Sequence, residues 1–574
     1  KRNMTPLKIY LGDLTYTTLS LATEAFPLNI GYVGAYCKEC FGDQVDITLF
    51  KYIDDLEQAI SDSPPDVLAL SNYPWNHTLG LELFRVMRNI SPKTLCVMGG
   101  SNIPHHPDLQ EKFMASKSVI DTYVYMEGEI GFSNIVAKIL EGGLDREWLK
   151  QKPIPGCLFI DANGKFVRGP NLPRRKALDE FPSPYLTGIL DKFFDGKLSP
   201  MMETNRGCPF SCTFCHEGHS VYQKVNFFST ERVMAELEYI AERVPPSIHN
   251  LMLCDPNFGM YRRDLEICTC ISTIQARTGW PEDIFATTGK NNKDRIATGL
   301  HKLNGAMPMW LSVQSMDQDV LDNIKRTNIS LGDMMEIQSA LTDNQLPSQS
   351  EIILGLPGES YTSHIESISK LVTADVDTIT AYTLMLLDGT ELNTPEERKK
   401  WEFKSKYRVL PRDFGKLRNG KNVVEVEEVV IGSKDLSFDE YVAMRRFHFL
   451  LSVIYNGKAC ASLFKLLREL DVPMFPFLKA MLERLDEAPL EIRNLMAEFE
   501  RETKEELWDS EKELRKFFDR DENFERLVSG EYGANLLQKY VSLSLVETPE
   551  LWVSFALKVA QDVIEEQNPN PRDH

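Results

Sequence analysis

The chain has 574 residues, enough for three or so domains of about 100–200 residues with sizeable cores. A formal charge of −20 and a pI near 5.1, with no basic patch interleaved with aromatics, argue against a nucleic-acid partner or an anionic membrane surface. There is no apolar run of about 18 residues and no charged-then-apolar leader, and the eleven cysteines are scattered, so the reading is a soluble, cytoplasmic protein without a disulfide scaffold.

From the amino end, residues 8–14, 45–52, 66–72, 94–100 and 122–126 form strand-like apolar runs, and 31–41, 53–61, 78–89 and 131–141 carry helical spacing. The alternation predicts an α/β, Rossmann-like, doubly wound parallel sheet over residues 1–142. Ligands of such sheets sit at the carboxyl ends of the strands. Those ends carry Ser71-Asn72-Tyr73-Pro74-Trp75-Asn76, Gly99-Gly100-Ser101-Asn102 and Glu127-Gly128-Glu129. No G-x-G-x-x-G follows the first strand, which removes the usual dinucleotide reading. A proline-broken connector follows over 143–200, with a short hairpin expected over 157–167.

Residues 201–394 then alternate six strands, starting near 201, 250, 284, 309, 350 and 378, with helices that include one over 331–344. This predicts a partial (β/α)6 barrel whose functional face lies at the strands' carboxyl ends. Just after the first strand comes Cys208-Pro-Phe-Ser-Cys212-Thr-Phe-Cys215, a C-x3-C-x2-C array. A cubane cluster has four irons, so three cysteines on one loop hold three of them and leave the fourth open to a small molecule. The alternative is structural zinc, but that metal is closed at four ligands and usually takes a second ligand pair. Cys268 and Cys270 form only C-x-C, and His216 or His219 would have to complete an unusual site.

The array, with Phe214 before the third cysteine, resembles the cluster loop of radical S-adenosylmethionine (SAM) enzymes. The resemblance implies a [4Fe-4S] cluster on Cys208, Cys212 and Cys215, whose open iron chelates SAM and whose electron cleaves it to a 5′-deoxyadenosyl radical. It further implies SAM contacts from Phe214 and from residues at the strand ends. Asp255 and Asn257 stand where the family often has Gly-Gly-Glu, Gln314 and Ser315 face ribose and carboxylate, and Arg326 faces the carboxylate. Gly355, Tyr382 and Leu384 lie along adenine. For Asp255 and Asn257, capping of the next turn is the competing role, and for Arg326 a solvated helix end.

The preceding sheet resembles the cobalamin-binding domain of one large class within that family, through Pro27-Leu-Asn-Ile-Gly31-Tyr-Val-Gly34 and the three strand-end loops. The resemblance implies corrinoid contacts from Ser71, Asn72, Tyr73, Trp75, Asn76, Gly99, Gly100, Ser101, Glu127, Gly128 and Glu129. The D-x-H-x-x-G signature is missing, so no histidine is expected on cobalt, and Trp75 or Tyr73 is placed at the lower face; Trp75 as an interface anchor is the other reading. Beyond residue 395 helical spacing dominates, over 438–456, 459–470, 474–485, 490–503, 511–519 and 533–558, which predicts a helical region, 395–574, capping the barrel mouth.

The implied function is methylation of an unactivated carbon of a small molecule or peptide by way of the adenosyl radical and methylcobalamin. An external electron donor such as flavodoxin or ferredoxin would be needed. Oxidation, cyclisation or ring rearrangement with the same cofactors is the nearest alternative, and a non-catalytic iron–sulfur or zinc protein is the alternative of another class.

Overall fold

The computed structural model describes residues 5–289, 292–343 and 346–567, so both chain ends and the last residue of the helix expected over 331–344 lie outside it. The amino-terminal part runs β1 (Leu7–Thr15), α1 (Leu28–Phe41), β2 (Val45–Tyr52), α2 (Ile53–Asp62), β3 (Val67–Ser71), α3 (His77–Ile90), β4 (Leu95–Gly99), α4 (Pro107–Ala115), β5 (Thr122–Val124), α5 (Gly128–Gly142) and a short α6 (Arg146–Leu149). Strand β3, Val-Leu-Ala-Leu-Ser, is buried at every position, as befits a parallel strand covered by helices on both faces. Helix α4 was not anticipated: Pro107 opens it, but Pro-Asp-Leu-Gln-Glu-Lys-Phe-Met-Ala carries too few apolar residues to announce it. The expected hairpin forms as β6 (Cys157–Ile160) and β7 (Phe166–Arg168) and extends the same sheet, whose order is β2-β1-β3-β4-β5-β6-β7. The first five strands are parallel; β6 joins β5 antiparallel through Tyr123 and Leu158.

The barrel part begins with β8 (Met201–Met202). Strands β9 (Asn205–Arg206) and β10 (Asn226–Phe227) then pair antiparallel and pinch off the base of the cysteine loop. Next come α7 (Thr230–Ala241), β11 (Asn250–Leu253), α8 (Asp264–Thr278), β12 (Asp283–Phe285), α9 (Lys293–Lys302), β13 (Met309–Gln314), α10 (Gln318–Asn323), α11 (Leu331–Asp343), β14 (Ser348–Leu354), α12 (Tyr361–Thr373) and β15 (Thr378–Thr383). The six strands form two parallel three-stranded sheets, β12-β11-β8 and β13-β14-β15. Between them the Ile284 amide donates to the Ala306 carbonyl at 2.7 Å, and the Thr288 hydroxyl to the Trp310 carbonyl.

The carboxyl-terminal part is largely helical, with one correction to the sequence-based picture. After α13 (Pro395–Trp401), a long antiparallel hairpin, β16 (Lys404–Lys416) and β17 (Asn422–Gly432), precedes the helices. Strand β17 continues the barrel: the Leu386 amide donates to the Glu428 carbonyl at 3.0 Å and the Val430 amide to the Leu384 carbonyl at 2.9 Å. Its other end reaches the first sheet, where Glu425 accepts from the Thr78 and Leu79 amides at 2.9 Å each and caps α3. The hairpin therefore ties the two α/β parts together.

Helix α14 (Phe438–Leu451) runs on through a π turn (Ser452–Asn456). It is followed by α15 (Ala461–Glu469), α16 (Met474–Glu483), α17 (Leu490–Glu505), α18 (Glu511–Phe518), α19 (Asp521–Val528), α20 (Leu536–Glu547) and α21 (Pro549–Gln567). The helix expected over 533–558 is thus two, parted before Pro549, which has no amide to continue the ladder. One apolar cluster runs from Leu7 through the barrel to Val563. Among the described residues no single helix is long and apolar enough to cross a membrane.

Candidate active site

The carboxyl ends of the first sheet and of β8 and β11 face one cavity of about 500 Å³. Its lining includes Ser71, Tyr73, Trp75, Gly99, Gly100, Glu127, Gly128 and Glu129 from one side and Asn205, Arg206, Cys254 and Pro256 from the other. The Tyr73 and Trp75 rings stack, with centroids 4.6 Å apart and planes 5° from parallel, and give the cavity a flat aromatic floor. Gly100 has φ +136°, and a Cβ there would lie 2.5 Å from the Asn72 carbonyl oxygen, so only glycine lets these two strand ends approach.

Three residues assigned to this surface stand behind it. Asn72 is fully buried and spends its amide on the Asn102 carbonyl, the Tyr123 hydroxyl and His77 Nδ1, 2.7 to 2.9 Å away. The Asn76 side chain holds the Tyr73 amide and the Ser71 hydroxyl. Ser101 does not line the cavity. These loops need polar anchors for their own turns, and the anchors point inward. His77 lies on the far side of that loop, and burial lowers its pKa to about 3.

The sequence reading missed a buried polar set beneath the floor. Lys51, 2% exposed, pairs with Asp13 at 3.1 Å; the Ser71 hydroxyl donates to Asp13 at 2.6 Å. A lysine near the end of one apolar strand and an aspartate near the end of its neighbour were the available signal. Arg206 and Arg174 were missed as well. Arg206 bridges Glu129 at 2.7 Å and Glu203 at 2.8 Å. Although burial opposes its charge, those two carboxylates raise the Arg206 pKa. Arg174, in the proline-broken connector, donates to the Val221, Lys224 and Arg206 carbonyls and pairs with Glu127 at 3.3 Å. It staples the cysteine loop to the first sheet.

That loop separates the cavity from a larger one, of about 1030 Å³, which Cys212 and Cys215 line together with Lys117, Asp388 and the end of β17. Asn257 donates to Cys208 Sγ at 3.3 Å, while its Oδ1 is buried without a partner. Arg326 donates through Nη1 to Cys212 Sγ at 3.6 Å and through Nε to Asn328 at 2.9 Å, and its Nη2 is buried without a partner. Asn328 in turn donates to the carbonyls of Val313 and Ser315 on either side of Gln314. Gln314 has φ +65°, a strained backbone for a residue with a Cβ, and its buried Oε1 is a third orphan. Burial raises the Cys215 thiol to about 11. Among the described residues no three cysteine, histidine or acidic side chains are already gathered at ligating distance.

Other expected SAM contacts are engaged elsewhere. Both oxygens of Asp255 accept from Thr204, one from its amide at 2.7 Å and one from its hydroxyl, and burial raises this carboxyl to about 7. It neither caps the next turn nor faces an open site. The Ser315 hydroxyl meets Ser367 and the Asp317 amide. Leu384 is buried with Leu356, Leu386 and Val320, and its amide and carbonyl belong to the ladder through Leu354 and Val430. Phe214 packs partly buried on that same cluster, Gly355 sits at φ +95°, and Tyr382 is half exposed on β15.

Two family models match the chain: the B12 binding domain over residues 15–136 and the radical SAM superfamily over residues 202–372. The chain therefore joins a B12 binding domain to a radical SAM domain. Among curated proteins it is 32% identical over 456 residues to the 2-(S-pantetheinyl)-carbapenam-3-carboxylate methyltransferase of Streptantibioticus cattleyicolor, across 76% of this chain and 64% of that one. It is 30% identical over 449 residues to the cobalamin-dependent radical SAM methyltransferase TokK of Streptomyces tokunonensis, across 75% and 63%. The chain thus spans just under two thirds of the length of these relatives. In fold it resembles TsrM of Kitasatospora setae (TM-score 0.56, 14% identity, 79% of this chain and 90% of that) and OxsB (TM-score 0.56, 14% identity, 97% and 84%).

Proposed function

We propose that the protein is a cobalamin-dependent radical SAM methyltransferase that acts on carbon of a small molecule. The observation that carries this reading is the trio of buried, unpartnered polar atoms beside the cysteine loop: Asn257 Oδ1, Gln314 Oε1 and Arg326 Nη2. One amide oxygen suits an ammonium, the other a ribose hydroxyl and the guanidinium N–H a carboxylate, and it is the gathering of the three beside Cys208 and Cys212, rather than the lack of a partner alone, that points to a ligand.

When bound, a [4Fe-4S] cluster, SAM and cobalamin supply one-electron cleavage of a sulfonium and a transferable methyl group. The chain's own part is placement. Cys208, Cys212 and Cys215 would hold the cluster, Arg326 the SAM carboxylate, Asn257 the ammonium, and Gln314, Gly355 and Tyr382 the nucleoside. Tyr73 and Trp75 would receive a corrinoid's lower face, while Gly99, Gly100 and Gly128 admit its edge. With no histidine among the described residues that line this cavity, the floor offers no strong cobalt ligand. The larger cavity takes the substrate; Lys117, which among the described residues makes no ion pair and lies over the Phe113 ring, would receive a carboxylate such as the one in the carbapenam relative's name. The electron comes from an external carrier of the flavodoxin or ferredoxin type, in the reducing cytoplasm that the cysteine usage suits.

The test is anaerobic reconstitution with iron, sulfide and hydroxocobalamin, followed by SAM and a reductant. About four irons and one cobalt per chain, with 5′-deoxyadenosine formation lost in Cys208→Ala, Cys212→Ala or Cys215→Ala, support the reading. Iron and cleavage without cobalt remove the corrinoid from it; zinc without cleavage overturns it.

A further inference from the structure

Strand β14 ends in Gly355-Leu-Pro-Gly358-Glu359, and the Glu359 side chain folds back on its own loop. One carboxylate oxygen accepts from the Gly355 amide at 2.7 Å; the other meets Nδ1 of His364, in the first turn of α12, at 2.8 Å. His364 Nε2 then meets Nε2 of His448 on α14 at 2.8 Å. All three side chains are at most 1% exposed. His448 Nδ1 has no partner.

Proton counting orders the chain. Glu359 accepts, so His364 Nδ1 carries hydrogen, and the assignment with no net charge on the two rings leaves His364 Nε2 bare. His448 must then donate from Nε2, which leaves its own Nδ1 bare. The orphan is therefore an unused acceptor, cheaper to bury than an unused N–H. Burial first, then His364 and Arg445, hold His448 neutral. Beyond Gly355 the line continues by packing: Leu356 is buried in the apolar cluster on which Phe214, the neighbour of Cys215, rests.

We propose that Glu359, His364 and His448 are positioning residues, a buried hydrogen-bond chain through which helix α14 sets the loop 355–358 and with it the nucleoside side of the SAM site. The proposal rests on the reading of the barrel mouth as a SAM site. A buried donor and acceptor locked in one tautomer can define a loop to a fraction of an ångström, which packing of leucines alone does not.

The test compares His448→Met, which keeps volume and removes the donor, with His448→Gln, whose amide can donate in its place. SAM binding to the reconstituted protein is measured calorimetrically beside iron content and melting temperature. Expected is a loss of about 10-fold in SAM affinity in His448→Met, with iron retained, and recovery to within about 3-fold in His448→Gln. Wild-type affinity in His448→Met, or equal losses in both variants, overturns the proposal. If neither variant folds, hydrogen exchange on the wild-type protein decides: SAM must slow exchange in peptides covering both 354–360 and 444–452, and protection of the first alone overturns it. A wild-type protein that takes up iron but binds no SAM sinks the SAM-site reading itself.

Discussion

Glu425, on the second strand of the hairpin, accepts the phenolic proton of Tyr16, just beyond the first strand of the chain, at 3.0 Å across 409 residues of sequence. The same carboxylate receives the Thr78 and Leu79 amides, so one buried acid joins β1, the start of α3 and β17. Glu425→Leu leaves three donors without an acceptor and is expected to cost about 3–5 kcal/mol in denaturant unfolding. Glu425→Gln keeps the acceptor oxygen and costs about half as much.

Asp413 stands beside this acid in β16, where burial and the Glu425 charge push its carboxyl up to about 8. Its folded pKa lies above the unfolded value of about 3.9, so the native state keeps a proton that the unfolded chain has lost. Stability therefore falls as pH rises from about 4 to about 8 and levels off above. Asp413→Asn removes the penalty. The melting temperature of the variant is expected to exceed the parent's at pH 8.5, and by a smaller margin at pH 5.

Arg326 contributes both a bond to Cys212 Sγ and a free Nη2. A lysine keeps the charge and loses the planar fork, so Arg326→Lys is expected to weaken SAM binding about 10-fold or more while iron content is retained. Equal SAM affinity in parent and variant would remove this arginine from the site.

Trp75 is 36% exposed and stacked on Tyr73. Trp75→Ala is expected to cost the aromatic pair, about 0.5–1.5 kcal/mol, plus the apolar area lost with the partly buried ring. Cobalamin retention after gel filtration, read from the visible spectrum, should nevertheless drop severalfold.

Much of this architecture was legible because parallel strands buried on both faces read as plain apolar runs, and the three cysteines are contiguous. The hairpin was not legible. Its strands carry Arg408, Glu425, Glu427 and Glu428, and in the fold these meet partners across the hairpin or from outside it: Arg408 pairs with Glu427 at 2.6 Å, and Arg398 with Glu428 at 2.6 Å. Along the sequence such paired charges look like a solvated helix face. Asp255 misled for a related reason: its partner Thr204 lies 51 residues upstream, and no local pattern links them. Arg174 was hidden by the prolines around it, which announce a connector and say nothing of where its side chain ends.

The cavity at the facing sheet ends is lined by residues from Leu11 to Pro256. A chain emerging from the ribosome at about 5–20 residues per second exposes the Ser71 loop some 10–40 s before Cys254 and Pro256 exist to face it. Through that interval the aromatic floor of Tyr73 and Trp75 lies open on a half-built protein. On the reading proposed above, one wall of a corrinoid pocket is thus complete before the other is made.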